Sequence, residues 1–553
     1  MRAFSVFASV VLLCSCGGGD SGSTANGNAQ TVASGGAHVQ SSSTGGTQVA
    51  GGNGGGSAGG TRATGGSAGA MSSAGGAAGG ASTGGRNTGG TRATGGSAGT
   101  TSSTGGSSTG GGSAGATSTT GGTRATGGTA GAMSSTGGST TGGMRATGGT
   151  AGATSSAGAA TGGTSTAGTS QIGGAGGAST TDPNVVAITV DPGPSGTYID
   201  GAFASVTFCE PKTNNCQTVD HLLIDTGSVG VRVLESKIKL NLPAATGTTG
   251  KNLAECLPFL SGTSWGPVRT ADVKIGGETA SNVGVQLIGE ATYTLAADCS
   301  GTPITDLATL GSNGILGVGI NVEDCGPACA SRTANPGLYY ECTAARTGGC
   351  AVAALPVANQ ITNPISGFPV DNNGSSIQLP NVPENGAPSV AGLLVFGIGT
   401  RSNNGLGSAK VIESDAYGLV RTTFPVGGTA YDSIIDSGSN GLYFLNSTTT
   451  KLSVCTNGIW TGFYCPQTTA ALSASLRAKD GSAAPVSFSL ANASKFPSQN
   501  CAFSNVGAPM TGYPTDPTIP GFDWGLPFYF GRTVFTALET KSTPVGTGPY
   551  FAF

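Results

Sequence analysis

Two short stretches of this chain carry residues that could do chemistry together. One reads Leu223-Ile224-Asp225-Thr226-Gly227-Ser228-Val229-Gly230 and the other Ile434-Ile435-Asp436-Ser437-Gly438-Ser439-Asn440-Gly441, 211 residues later. Both follow one formula: two apolar residues, Asp, Thr or Ser, Gly, Ser, any residue, Gly. Two apolar residues carry a strand into a core, and Asp ends it at a tight turn. Gly allows close backbone approach there. The Thr226 and Ser437 hydroxyls can bond across to the opposite loop. If the loops meet, Asp225 and Asp436 lie side by side. Carboxylates that close cannot both ionise, so they share one proton and their titrations split. A water between them then meets a base and an acid at once, which suits hydrolysis of a carbonyl compound.

Such a pair needs two matched scaffolds. A second apolar signature follows each Asp at a similar distance. Gly314-Ile315-Leu316-Gly317 places Gly317 92 residues after Asp225, and Trp524-Gly525-Leu526-Pro527 places Pro527 91 residues after Asp436. The chain therefore reads as two copies of one β-lobe, residues 186–365 and 366–553. Short alternating runs broken by Gly, Pro and Asn predict many short strands. Examples are Ala271-Asp-Val-Lys-Ile-Gly-Gly, Gly392-Leu-Leu-Val-Phe-Gly and Val420-Arg-Thr-Thr-Phe. Thr468–Ala478 is the best short helical stretch.

These motifs resemble the pepsin-like aspartic peptidases. The resemblance spans about residues 186–553 and implies an all-β, bilobal double β-barrel with a cleft between the lobes. On it, Asp225 and Asp436 match the catalytic pair. Thr226, Gly227, Ser437 and Gly438 match the catalytic loops, and Ser228 and Ser439 the hydroxyls that bond each carboxylate. It implies an aspartic endopeptidase that cleaves polypeptide in the cleft without cofactor or metal, as a monomer. That family closes its cleft with a Tyr-bearing hairpin. The matching stretch here has no Tyr, so Phe259, Leu260 or Trp265 would have to serve. Pro527 also stands where the pattern expects Gly. The chain is more similar still to an uncharacterised family of bacterial exported proteins, known only as a domain of unknown function. A catalytically inactive surface-binding or adhesion lipoprotein on the same fold is the alternative.

The N-terminal third reads differently. Arg2 and the apolar run Ala3–Leu13 have the form of an export signal. Leu13-Cys14-Ser15-Cys16 resembles a bacterial lipobox, implying cleavage after residue 15 and a lipid on Cys16. Gly17 rather than Asp then favours the outer membrane. Most of the 101 Gly lie in residues 16–185, beside Ala, Ser and Thr. A Thr/Met-Arg-Ala-Thr-Gly-Gly unit recurs with its Arg at 62, 92, 124 and 145. Almost nothing there is large and apolar, so burial cannot offset ordering entropy. The stretch reads as a disordered tether with an r.m.s. reach of ~70 Å.

Composition excludes other classes. Net charge is −3 and only 9% of residues are charged, against roughly 25% in ordinary globular proteins. No basic surface for nucleic acid is expected. Gly262-Thr-Ser264-Trp-Gly266 fits a serine-hydrolase elbow. However, the chain has only two His, His38 and His221, and neither follows Ser264. Export favours disulfides. Eleven of the 13 Cys lie beyond Cys16. Close spacing suggests Cys209 with Cys216, Cys325 with Cys329, Cys342 with Cys350, and Cys455 with Cys465. The odd count leaves at least one thiol over.

Overall fold

A computed structural model describes residues 178–333, 335–343, 349–516 and 519–553. The expected export signal, Cys16 and nearly all of the tether lie outside the described residues. The described part is almost entirely β. Its strands form a 16-stranded sheet, a 7-stranded sheet and a small two-stranded ribbon. The three α-helices among these residues are four residues long each, Leu307–Leu310, Pro327–Ala330 and Ser447–Thr450.

The two halves repeat one local topology. In the first, the strand Cys216–Asp225 lies parallel to Gly314–Val318, with Ile224 opposite Leu316 and Asp225 opposite Gly317. The strand Val229–Leu234 returns antiparallel on the other side of Gly314–Val318, pairing Gly230 with Gly317 and Val231 with Leu316. In the second, Thr429–Ile435 lies parallel to Phe522–Trp524, with Ile434 opposite Asp523 and Ile435 opposite Trp524. The strand Leu442–Phe444 returns antiparallel, pairing Leu442 with Trp524. Leu222, Ile224, Leu316, Ile435, Leu442 and Trp524 are buried in one hydrophobic cluster. Each such side chain contributes about 1.5–3 kcal/mol on burial, which pins the ends of both Asp strands.

This register corrects the second landmark. Ile435 faces Trp524, so the partner of Asp436 is Gly525 and not Pro527. Asp436 N accordingly donates to Trp524 O. A Cβ on Gly525 would lie 2.2 Å from Gly441 O, as one on Gly317 would lie 2.7 Å from Gly230 O. Glycine is required at both places, and Pro527 is the second residue of the following turn, Leu526–Tyr529.

The lobes also share a sheet. Val185–Val190 pairs with Val390–Phe396, which pairs with Gly374–Leu379. Arg532–Ala537 and Tyr550–Ala552 continue it. The first, middle and last segments of the folded part thus interleave, so a cut at 365/366 does not separate two independent sheets. Packing against this sheet also includes residues before 186, since Asn184 and Val185 are buried.

Thr468–Ala478 is not helical. Ala470–Arg477 is a strand paired over eight rungs with Ala483–Leu490. Leu472, Ala474 and Leu476 alternate with Ser473, Ser475 and Arg477. This period of two outweighs the helix propensity of Ala and Leu.

Candidate active site

The two Asp loops meet in the interior. Asp225 and Asp436 are 0% and 1% exposed. Thr226 Oγ1 donates to Ile435 O at 3.1 Å, and Ser437 Oγ donates to Ile224 O at 2.8 Å. Each hydroxyl also accepts the other residue's backbone N–H, Ser437 N to Thr226 Oγ1 at 2.9 Å and Thr226 N to Ser437 Oγ at 3.1 Å. The pseudo-symmetric lock foreseen from the two motifs is therefore present. Tyr529 breaks the symmetry, with its hydroxyl 2.9 Å from Thr226 Oγ1.

The carboxylates are held the same way on both sides. Gly227 N donates to Asp225 Oδ1 and Gly438 N to Asp436 Oδ1, both at 2.8 Å. Ser228 Oγ donates to Asp225 Oδ2, and Ser439 Oγ lies 2.8 Å from Asp436 Oδ2. The oxygens Oδ1 face each other, because Gly227 N also donates to Asp436 Oδ1 at 3.1 Å. A Cβ at Gly227 would lie 2.7 Å from Asp436 Cγ, so only glycine lets the loops approach this closely. Burial pushes the Asp436 carboxyl well above the usual range, with the Asp225 and Asp523 charges adding to it. Two buried carboxyls this close penalise a second negative charge, and that favours the protonated form of Asp436.

A third carboxyl was not foreseen. Asp523 is buried, and its Oδ2 lies 2.6 Å from Ser439 Oγ. Burial pushes its carboxyl up to about 8. It occupies the position that Ile315 holds in the first half. The sequence signal for it was the match of Ile315-Leu316-Gly317 with Asp523-Trp524-Gly525, hidden while Pro527 stood as the counterpart of Gly317. Tyr198 is also buried near the pair. Its phenol is pushed up by burial and by the charges of Asp225 and Asp436, and its hydroxyl has no hydrogen-bond partner.

The flap candidates sit on one hairpin, Asn252–Phe259 with Gly262–Ile275, closed where Phe259 pairs with Gly262. Phe259 packs with Leu234, Leu253 and Ile304. Trp265 packs with Cys256, Tyr293 and Tyr340, and its Nε1 donates to Tyr293 O. Leu260, 43% exposed, alone presents a free apolar face. The hairpin is not an isolated arm. Its first strand pairs with Tyr339–Cys342, and Cys256 is bonded to Cys299. Glu255 on it binds buried Arg232, which also meets Asp324. This network ties the hairpin to the strand that leaves the Asp225 loop.

All four local disulfides are formed. The fifth, Cys256–Cys299, spans 43 residues, beyond what close spacing could suggest. Cys501 is the thiol outside these bonds; it is buried, and its Sγ donates to Pro388 O. Ser264 is buried on a strand and donates to Gln286 Oε1, so it is no nucleophile elbow. His221 sits on the strand leading to Asp225, 3.3 Å from Asp191. No metal-ligating cluster occurs among the described residues. A cavity of about 320 Å³ lined by Ile199, Trp460, Phe496 and Asn500 includes neither Asp225 nor Asp436 in its wall.

Among solved structures, an aspartic proteinase from Irpex lacteus is similar to the chain. Identity is 16%, coverage is 66% of this chain and 96% of that one, and the TM-score is 0.39. No curated protein sequence matches. A family model described as a protein of unknown function (DUF3443) matches residues 180–553, the whole span that carries both Asp loops, and the chain belongs to that family.

Proposed function

We propose that the chain is an aspartic-type endopeptidase in which Asp225 and Asp436 hydrolyse peptide bonds. The observation that carries this reading is the Gly227 N–H, which donates to one oxygen of each carboxylate. It fixes two buried acids in the geometry of a shared proton. In the reaction, the ionised partner takes a proton from water as the water oxygen bonds to the peptide carbonyl carbon. The protonated partner gives its proton to the carbonyl oxygen. Proton return to nitrogen then lets the C–N bond break, and the pair recovers its single proton. Thr226 and Ser437 hold the loops, while Ser228 and Ser439 hold the outer oxygens. The hairpin at Leu260 would cover bound polypeptide. A lipid on Cys16 would place the enzyme at the cell envelope, probing its surroundings on the tether.

The test is cleavage of an unfolded protein by the full chain from about pH 3 to 8, beside Asp225→Asn and Asp436→Asn. Cleavage lost in both variants supports the dyad. A folded wild-type chain that cleaves nothing at any pH sinks it. The second reading, a tethered binding protein, is favoured by the stapled hairpin, which resembles a fixed wall more than a moving lid.

A further inference from the structure

Ser439 has one hydroxyl proton and two carboxylate neighbours. Its Oγ lies 2.8 Å from Asp436 Oδ2 and 2.6 Å from Asp523 Oδ2. A single proton cannot serve both contacts, so one of these carboxyls must itself be a donor. Asp436 already accepts two backbone N–H groups on Oδ1, an arrangement that suits a carboxylate. Asp523 Oδ1 is buried with no hydrogen-bond partner, which suits the carbonyl of a neutral acid and not an anion. The first half has no such feature, because Ile315 fills the equivalent place and Ser228 serves Asp225 alone.

We propose that Asp523 is a third carboxyl of this centre and a positioning residue. As a neutral acid it donates to Ser439 Oγ and so aims the one Ser439 proton at Asp436 Oδ2. Its effect is to favour the ionised form of Asp436 over that of a symmetric site. The groups facing it are consistent with a retained proton. Asp225 and Asp436 come from the two loops, Tyr529 from the turn Leu526–Tyr529, and Tyr443 lies opposite on the neighbouring strand. Among the described residues, no Lys, Arg or His contributes to its electrostatics. When Asp523 finally ionises, it adds a second negative charge beside the dyad and turns the Ser439 proton away. Asp523 thereby sets the alkaline end of the working range, while its donation extends the acidic end.

The role of the dyad in catalysis rests on the proposed peptidase reading; the proton on Asp523 does not, and the test separates them. The full chain would be labelled with ¹³C at its aspartate carboxyls and titrated by NMR. Asp523→Asn keeps a donor to Ser439, and Asp523→Ile copies the first half. One carboxyl signal, missing in D523N, should be protonated at pH 7. The acid-side midpoint of the Asp225/Asp436 pair should rise by roughly half a pH unit in D523I and stay in place in D523N. The acid limb of kcat/KM should move with it, and D523N alone should extend the alkaline limb. A merely structural role would lower activity at every pH without moving either limb. If the wild-type chain cleaves nothing, the peptidase reading fails and the carboxyl titration still decides the role of Asp523. An Asp523 carboxyl ionised at pH 7, or a pair midpoint unmoved in D523I, overturns the proposal.

Discussion

Thr226 and Ser437 each hold the strand that carries the other. Thr226 Oγ1 donates to Ile435 O, Ser437 Oγ donates to Ile224 O, and each hydroxyl accepts the other's backbone N–H. Four buried polar groups on two loops thus depend on two hydroxyls. Removing either strands its partners without water, at about 1–3 kcal/mol per unsatisfied group. Thr226→Val and Ser437→Ala should each cost about 3 kcal/mol. Because they dismantle one network, the double variant should cost clearly less than the sum. Denaturant unfolding of the full chain measures this. Additive losses would mean that the two loops are held independently.

Gly227→Ala tests the approach of the loops themselves. The new Cβ would sit 2.7 Å from Asp436 Cγ and 2.8 Å from Asp436 Oδ1, so the carboxylate must move. Overpacking of this kind costs about 1–3 kcal/mol, and the chain should still fold. A shift near 1 Å in a catalytic group costs about 10²-fold in rate. If the pair hydrolyses peptide bonds as proposed, cleavage should fall by at least that factor while the unfolding midpoint moves modestly. Wild-type activity in G227A would show that the paired geometry is not needed.

Burial raises Asp436 and Asp523, and that sets the sign of a pH effect on stability. The unfolded Asp titrates near 3.9, whereas Asp523 holds its proton up to about 8. Between those values the folded state binds more protons, so stability is greatest at the acid end and declines as pH rises. For one such group the slope approaches about 1.4 kcal/mol per pH unit. Asp523→Asn removes that group from the titration. Its urea midpoint, measured from pH 5 to 8, should fall less steeply than the wild type's. Parallel curves would place the Asp523 proton elsewhere.

Much of this was legible because the motif is local. The Asp-Thr/Ser-Gly-Ser run specifies its turn, its loop-to-loop hydroxyls and the serines on the outer oxygens within a few residues, and it occurs twice. Non-local facts were not legible in the same way. Offset counting placed Pro527 against Gly317, because equal spacing takes no account of loops of different length. Only the strand register puts Gly525 there and exposes Asp523 as the counterpart of Ile315. Ala470–Arg477 misled because Ala and Leu favour helices, while pairing with Ala483–Leu490 decided its state. Cys256 and Cys299 gave no sign of bonding, since chain spacing says nothing about which loop folds back on a hairpin.

That disulfide should matter more than the short ones. By loop-closure entropy, a 43-residue loop is worth about 4 kcal/mol and the four-residue Cys325–Cys329 loop about 2. Replacing Cys256 and Cys299 by Ala should therefore lower the unfolding free energy roughly twice as much as the same change at Cys325 and Cys329. Equal losses would show that strand pairing with Tyr339–Cys342 already fixes the hairpin.

The hairpin side chains separate packing from substrate contact. Trp265 is buried against Cys256, Tyr293 and Tyr340 and donates to a backbone carbonyl, so Trp265→Ala should cost about 3–5 kcal/mol. Leu260 is exposed at the tip and has little packing to lose, so Leu260→Ala should leave stability within about 0.5 kcal/mol. If the tip closes on polypeptide, L260A should raise KM for an unfolded protein with kcat nearly unchanged. A KM that does not move would make the hairpin a fixed wall, held by Cys299 and the Arg232 network, and would leave substrate contact to residues outside it.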